Sequence, residues 1–203
     1  ARMWPRAVLT GSEPKRTHLP LQLCRTGQHW RWDGVDFRVL HPDGAWPEGS
    51  NDGSCVLLIS GQGGRMLLTG DITRLVEPVV SRQVGPGPPL ILLVPHHGSK
   101  TSSSADFLQR LAPRLAVASA GWHNRFGHPA ASVVARYRDA HIPLLVTADA
   151  GAVVLDFPAG ADPLLRRRLR CDDHHYWRIR ACAASPNRRA NAAMMRPSTD
   201  VPE

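Results

Sequence analysis

Four short polar clusters carry the residue types that metal-dependent chemistry needs. They are Asn-Asp-Gly-Ser at residues 51–54, Thr-Gly-Asp at 69–71, His-His-Gly-Ser at 96–99 and Asn-Arg-Phe-Gly-His-Pro at 124–129. Carboxylate oxygens and imidazole nitrogens are the donors with which proteins bind divalent cations. Each cluster is predicted to lie where a strand meets a loop, or in a loop between elements, and such positions commonly carry function. Together the clusters indicate a candidate metal site, although no cluster decides this alone.

Asp71 is the candidate carboxylate ligand. It follows the apolar run at residues 66–68 and comes directly after Gly70. A carboxylate in that position can stand clear of the sheet edge and bridge two divalent cations. The alternative is a helix cap, because residues 72–83 are predicted to be helical and Asp is a favoured N-cap residue. Both interpretations stay open on this segment alone.

His96 and His97 are the candidate imidazole ligands, and they follow Pro95 at the end of a predicted buried strand. Neighbouring side chains of an extended chain point in opposite directions. We therefore predict that only one of the two imidazoles faces a given site, while the other contacts substrate, supports the site or faces solvent. His128 precedes Pro129, which restrains it to an extended conformation. It is either a further site residue or an ordinary loop histidine.

Six further residues are predicted to contact substrate or phosphate. They are Asn51, Ser54, Ser99, Lys100, Asn124 and Arg125. The formal net charge of +8 and the excess of Lys and Arg (25) over Asp and Glu (17) favour a polyanionic partner. The alternative is that the arginine-rich composition reflects only a GC-rich genome.

The elements that must position these residues indicate a layered α/β domain. Alternating apolar residues over 29–40, with Asp33-Gly34 between two runs, predict a β-hairpin. The other predicted strands cover residues 54–60, 65–69, 90–94, 115–119, 144–147 and 152–157. The predicted helices cover residues 72–83, 104–111 and 130–140, with Ser102 or Ser103 as the cap of the second.

Size and composition limit the domain organisation. A hydrophobic content of 42% with 21% charged residues is typical of a globular protein. No apolar run reaches the ~18–20 residues that span a bilayer. We predict a loop-rich lead-in over residues 1–28, one domain over 29–160 and a disordered Arg-rich tail over 161–203. The chain opens on Ala1, which suggests a piece of a longer protein, and its four cysteines lack metal-ligand spacing and fix no redox compartment.

The order of the motifs resembles one family. Residues 51–58 (Asn-Asp-Gly-Ser-Cys-Val-Leu-Leu), 67–71 (Leu-Leu-Thr-Gly-Asp) and the string from residue 94 (Val-Pro-His-His-Gly-Ser-Lys-Thr-Ser-Ser) are similar to the metallo-β-lactamase-like domain of ComEC-type competence proteins. So are the strings at 119–121, 124–129 and 147–152. The resemblance covers about residues 30–157.

The resemblance implies an αββα sandwich, of which this chain would be the C-terminal portion, with a two-metal site (Mn or Zn) between its sheets. By that similarity Asp71 would bridge the metals, and His96 or His97, with His128, would complete the metal and substrate shell. The implied reaction is hydrolysis of DNA phosphodiesters. The implied partners are single-stranded DNA and the rest of a parent protein of the inner (cytoplasmic) membrane, with no small-molecule cofactor.

One departure from the family is serious. Its main metal-binding motif, of the type His-x-Asp/His-x-Asp-His followed by Gly, has no counterpart in residues 1–50. We therefore expect this polypeptide to be inactive by itself and to expose an apolar edge and face. Two alternatives stay open. One is a hydrolase of small esters or lactones, since this fold hosts many chemistries, and the other is a catalytically inactive nucleic-acid-binding module.

Overall fold

A seven-stranded sheet with helices on one face forms the centre of the protein. The structure, a computed structural model, describes residues 8–11, 21–44, 46–47 and 49–172. Its strands are β1 (Val8–Thr10), β2 (Leu21–Leu23), β3 (His29–Trp32), β4 (Val35–His41), β5 (Val56–Gly61), β6 (Gly64–Leu68), β7 (Leu90–Leu93), β8 (Leu115–Ala118), β9 (Leu144–Val146), β10 (Val153–Asp156) and β11 (Leu164–Arg168). Its helices are α1 (Glu77–Val84), α2 (Ala105–Leu111), α3 (Ala131–Asp139), α4 (Thr147–Ala150) and α5 (Leu169–Asp172). One-turn 3₁₀ segments cover Asn51–Gly53 and Pro95–Gly98.

The main sheet changes direction at its middle. Its strand order is β3-β4-β5-β6-β7-β8-β9; pairing is antiparallel from β3 to β6 and parallel from β6 to β9. Strands β1 and β2 form a separate parallel pair, and β10 and β11 a separate antiparallel pair. Because parallel strands end at one edge of a sheet, the loops after β6, β7, β8 and β9 come together there.

The hairpin predicted over residues 29–40 is confirmed. Asp33 and Gly34 connect β3 to β4 with φ values of 49° and 79°. Two consecutive positive φ values are what a tight two-residue hairpin turn requires, and Asp-Gly is a favoured pair for it. Trp30 stacks on Phe37 across the two strands, with ring centroids 5.1 Å apart.

The core lies on both faces of the sheet. One face packs against α1, α2 and α3, whose buried side chains include Phe107 and Tyr137. On the other face, Leu115 and Val117 of β8 pack with Leu165 of β11. Strand β8 is buried along its whole length, as expected for a parallel strand covered on both sides. The predicted layered α/β organisation is confirmed.

Two helix boundaries differ from the prediction. Helix α1 begins at Glu77 rather than near residue 72, with Pro78 in its first turn. Proline is tolerated there because the first-turn N–H groups have no intrahelical acceptor. Helix α2 is capped by Ser104, whose hydroxyl accepts a hydrogen bond from the Phe107 N–H, and not by Ser102 or Ser103.

The ends of the predicted domain also differ. The lead-in contains β1 and β2. The predicted tail begins too early, because β11 and α5 continue the ordered structure to residue 172. Residues 173–203 of that predicted tail lie outside the described part of the chain. Within the described part, none of the helices has the length and apolar character needed to cross a bilayer.

Candidate metal centre

Asp71 stands at the carboxyl end of β6 and does not cap a helix. The N-cap of α1 is Val76, and residues 72 and 73 have no regular structure, so the helix-cap interpretation is wrong. Gly70 has φ = 57°, and a Cβ there would lie 2.7 Å from the Cβ of Ser54. Glycine is therefore required to bring Asp71 out of the strand against the loop that carries Ser54.

The His96–His97 pair adopts a left-handed turn instead of an extended chain. The two residues have φ/ψ of 49°/42° and 55°/15°. Left-handed non-glycine residues cost of order 1–3 kcal/mol each and occur where surrounding contacts impose them. Two such contacts are the His96 N–H donating to the Gly70 carbonyl (3.0 Å) and the Ser102 hydroxyl donating to the Pro95 carbonyl (2.8 Å). The premise that this pair lies in an extended chain is therefore wrong, and the prediction that only one of the two imidazoles faces the site stays a prediction.

His97 and Asp71 converge in the way that metal ligands do. His97 Nε2 lies 3.4 Å from Asp71 Oδ1, and His97 Nδ1 lies 2.7 Å from the carbonyl oxygen of Ser119. A carbonyl oxygen only accepts hydrogen bonds, so Nδ1 carries a proton, and Nε2 is the nitrogen that faces the carboxylate. An imidazole fixed by a backbone carbonyl on its far nitrogen is the usual orientation of a metal-bound histidine.

His96 and His128 lie beside this pair. Their ring centroids are 6.1 Å apart, and Asn51 Nδ2 lies 3.4 Å from His96 Nε2. Burial lowers the pKa of His128, and the nearby His96 and His97 lower it further, while Asp71 opposes them. Its Nδ1 is buried without a hydrogen-bond partner among the residues described. A lowered pKa favours the neutral imidazole of His128, which is the form that binds metal ions.

These four residues fit part of a metal shell. Their donor types suit a divalent cation, and so does the hydrogen bond that fixes His97 through Nδ1. Yet over the described ranges, no three or more His, Cys, Asp or Glu side chains are arranged to hold a metal ion.

Ser54 and Ser99, both predicted to contact substrate, are engaged in the structure of the site. The Ser54 hydroxyl donates to the Asn51 carbonyl (2.7 Å) and accepts from the Asp71 N–H (3.0 Å). It thereby joins the 51–54 cluster to the backbone of Asp71. The Ser99 hydroxyl lies 3.2 Å from that of Thr101. A direct contact of either serine with substrate stays a prediction.

Asn124 braces the loop that carries His128. Its Nδ2 donates to the carbonyls of Gly121 (3.2 Å) and His128 (2.7 Å), and its Oδ1 accepts from the His128 N–H (2.8 Å). The Arg125 guanidinium lies 4.7 Å from the centre of the Phe126 ring. The predicted phosphate contacts of Asn124, Arg125 and the exposed Lys100 stay predictions.

Two buried carboxylates that position the site were not predicted from the sequence. Asp52 accepts hydrogen bonds from the N–H (2.7 Å) and the hydroxyl (3.0 Å) of Thr73, which fixes the chain just after Asp71. Glu77, fully buried, accepts from the N–H groups of Ser103 and Ser104 and so anchors the loop after the histidine pair. Asp52 belongs to a cluster that stood out, whereas nothing in the sequence distinguished Glu77.

Comparison with known proteins gives a consistent picture. A family model described as the metallo-beta-lactamase superfamily matches residues 3–122. "Competence protein ComA" of Neisseria gonorrhoeae is 41% identical over 144 residues, which is 70% of this chain and 20% of that protein. "Recombination protein 2" of Haemophilus influenzae is 34% identical over 134 residues (66% and 17%), and "ComE operon protein 3" of Bacillus subtilis is 34% identical over 119 residues (59% and 15%).

The matches differ in how much they cover. The chain spans a fifth or less of the length of these three relatives. A crystal structure of a metallo-beta-lactamase superfamily protein from Thermotoga maritima matches 70% of this chain and 80% of that one, with a TM-score of 0.44 and 10% identity.

Proposed function

This chain belongs to the metallo-β-lactamase superfamily, and we propose that it is part of a metal-dependent nuclease domain of a DNA-uptake protein. The superfamily implies the use of divalent metal ions. Similarity to proteins named for competence supports DNA as the substrate, and the net charge of +8 is compatible with a polyanion. We further propose that the parent protein is an inner-membrane protein and that its partner is single-stranded DNA.

The observation that carries the proposal is the pairing of His97 with Asp71. The distance of 3.4 Å between Nε2 and Oδ1, with Nδ1 committed to the Ser119 carbonyl, leaves one nitrogen and one oxygen donor aimed at a common point. Both side chains are about half exposed, so a substrate in solvent can reach them.

Each residue then has a stated part. Asp71 and His97 would hold the cation, and the imidazoles of His96 and His128 would border it and contact metal or substrate oxygens. A bound divalent cation supplies Lewis acidity toward a phosphodiester and makes water a stronger acid. Ser54 keeps Asp71 in place through its backbone N–H. Arg125 and Lys100, both exposed, offer positive charge to the phosphates on either side of the reacting one.

The test compares Asp71→Asn with wild type in the complete gene product. We expect Mn²⁺ affinity and Mn²⁺-dependent cleavage of a single-stranded oligonucleotide to fall by about 100-fold or more, because the amide removes a charged ligand. Isothermal titration calorimetry reads the first quantity and a gel assay the second. Asp106→Asn, an exposed carboxylate in α2, is the matched control. Wild-type cleavage and metal affinity in Asp71→Asn would remove Asp71 from the site and overturn the proposal.

A second candidate is a catalytically inactive nucleic-acid-binding module. It is favoured by the lack of any three-ligand group in the part of the chain that the structure describes. The same experiment separates the two candidates. DNA binding by the complete gene product without cleavage in Mn²⁺ or Zn²⁺ supports the inactive module.

A further inference from the structure

Two large aromatic side chains stand exposed on the loop of residues 121–128, which we call the aromatic loop. Trp122 is 48% exposed and Phe126 is 65% exposed. Exposed apolar surface costs roughly 25 cal/mol per Å² relative to its burial. Large aromatic side chains grouped on a polar surface often mark a binding site. Neither residue has a part in the proposed metal centre.

The aromatic loop is internally braced, so the exposure of its rings is built into its structure. Besides the three hydrogen bonds of the Asn124 side chain, the Gly127 N–H donates to the Asn124 carbonyl (3.1 Å). The loop also begins next to an anchored position, because the Ala120 N–H donates to the Thr147 hydroxyl (2.9 Å). A loop held in this way presents its rings in a fixed orientation and loses little conformational entropy when it binds a ligand.

The rings lead into the metal centre. Phe126 stacks on His128 with centroids 5.8 Å apart and planes 21° apart, and His128 contacts His96 edge-on. A flat ligand placed against Phe126 therefore lies one ring away from residues that border the proposed metal. The surface is continuous with the site, so its occupant is a part of the substrate next to the reacting bond.

Cations accompany both aromatic side chains. The Arg125 guanidinium lies over the Phe126 ring, and the Arg170 guanidinium lies 5.5 Å from the centre of the Trp122 ring. A ring for stacking and a cation for an anion, present at each of the two aromatic side chains, match the base and phosphate of a nucleotide at each position. A purely apolar partner, such as a hydrophobic peptide, makes no use of the two guanidinium groups.

We infer that the aromatic loop is a base-stacking platform that holds single-stranded DNA against the metal centre, an inference that rests on the proposed nuclease function. Unpaired bases offer their faces to Phe126 and Trp122, whereas the bases of a duplex are stacked on one another. Stacking is tolerant of sequence, since every base has an aromatic face. The platform therefore selects strandedness and not sequence.

The experiment measures binding of the full 203-residue chain by fluorescence anisotropy, in EDTA so that cleavage does not occur. The probes are a 15-nucleotide oligo(dT), an abasic oligomer with the same number of phosphates, and a duplex of the same length. We expect Phe126→Ala to weaken oligo(dT) binding by about 5-fold to 100-fold. Abasic binding stays unchanged, because that probe has no bases to stack. Trp122→Ala acts in the same direction.

Trp32→Ala is the matched control. Trp32 is 74% exposed and sits in the hairpin at the end of the sheet opposite to the site, so its loss leaves all three affinities unchanged. Phe126→Trp should bind oligo(dT) as the wild type does, whereas Phe126→Leu should bind it as weakly as Phe126→Ala. This pair of variants distinguishes stacking on an aromatic ring from contact with an apolar side chain of similar volume. Any one of three results would overturn the inference. They are equal affinity of the wild type for oligo(dT) and the abasic oligomer, tighter binding of the duplex than of oligo(dT), and an unchanged oligo(dT) affinity of Phe126→Ala.

The two proposals fail separately. If the aromatic loop is no platform, Phe126→Ala binds oligo(dT) normally while Asp71→Asn still loses Mn²⁺ affinity. If the nuclease proposal is wrong, Asp71→Asn keeps its metal affinity and cleavage. The anisotropy measurement on the Phe126 variants is independent of that result, because it is made in EDTA without metal.

Discussion

The two halves of the main sheet differ in what they carry. In the parallel half, β6 to β9, the strands are largely buried, and the loops that follow them carry Asp71, His97, His128 and Thr147. In the antiparallel hairpin of β3 and β4, all four side chains of β3 are exposed and no predicted site residue is present. The strands of the parallel half fix a chemical site at their carboxyl ends, whereas β3, at the edge of the antiparallel half, is exposed to solvent.

The two halves are also stabilised by different kinds of contact. The loops of the parallel half are tied by buried polar groups, such as Glu77 beneath Ser103 and Ser104. The hairpin side is held instead by a covalent bond, since Cys24, just before β3, forms a disulfide with Cys55, just before β5. Substitutions in the parallel half should therefore reduce both stability and metal binding, whereas loss of the disulfide should reduce stability and spare the aromatic loop.

The largest effect is expected from Glu77→Ala in the parallel half. Two backbone N–H groups lose a charged acceptor in a fully buried position. At about 1.5–3 kcal/mol for each hydrogen bond to a charged group, the free energy of unfolding should fall by about 3–6 kcal/mol. Urea unfolding followed by circular dichroism measures it.

Glu77→Gln is the companion variant, because the amide keeps one acceptor oxygen and the side-chain volume. We expect its loss to be clearly smaller than that of Glu77→Ala. It should still weaken Mn²⁺ binding in the complete gene product, because the loop after His96 and His97 becomes less restrained. A Glu77→Ala protein with wild-type stability would show that the loop does not depend on this carboxylate.

The next effect is expected from the double variant Cys24→Ala/Cys55→Ala on the hairpin side. The disulfide closes a sequence separation of 31 residues, for which chain entropy gives a stabilisation of about 3–4 kcal/mol. Chemical unfolding measures the loss. Adding a reductant to the wild type is not equivalent, because Cys171 is also disulfide-bonded.

Oligo(dT) affinity supplies the contrast for this variant. The aromatic loop follows β8 in the parallel half, whereas the disulfide lies on the hairpin side. The double variant should therefore bind oligo(dT) as tightly as the wild type under conditions where it is folded. A variant that loses stability and oligo(dT) binding together would contradict the separation of the two halves.

The fold could be predicted where local chemistry determines it. Asp33-Gly34 specifies the hairpin turn, and the apolar run of β7 with its flanking prolines specifies a buried strand. Strand β11 was missed because three consecutive arginines, residues 166–168, do not alternate with apolar residues. Of the residues in that strand, only Leu165 packs into the core. It packs against the face of the main sheet opposite to the helices, and the local sequence of the strand does not indicate that contact.

The candidate site was predictable in its residue types but not in its geometry. Asp71 and the histidine pair were found from their position after apolar strands, and the structure brings them together. The left-handed turn at His96 and His97 was missed, because positive φ is uncommon in any residue other than glycine; contacts with Gly70 and Ser102 impose it. The role of Glu77 was missed for a related reason, since its partners lie 26 and 27 residues away.

The smallest effect is expected from Trp32→Ser at the tip of the hairpin. Its side chain is 74% exposed, so its truncation should change the free energy of unfolding by about 0.5 kcal/mol or less. Thermal unfolding of this chain and of the complete gene product measures the change in each. A small change in the chain with a loss above about 1 kcal/mol in the complete product would mean that another part of that protein covers the hairpin edge. The hairpin would then be an internal contact surface, and its exposure here would arise because an edge strand is left without its neighbour.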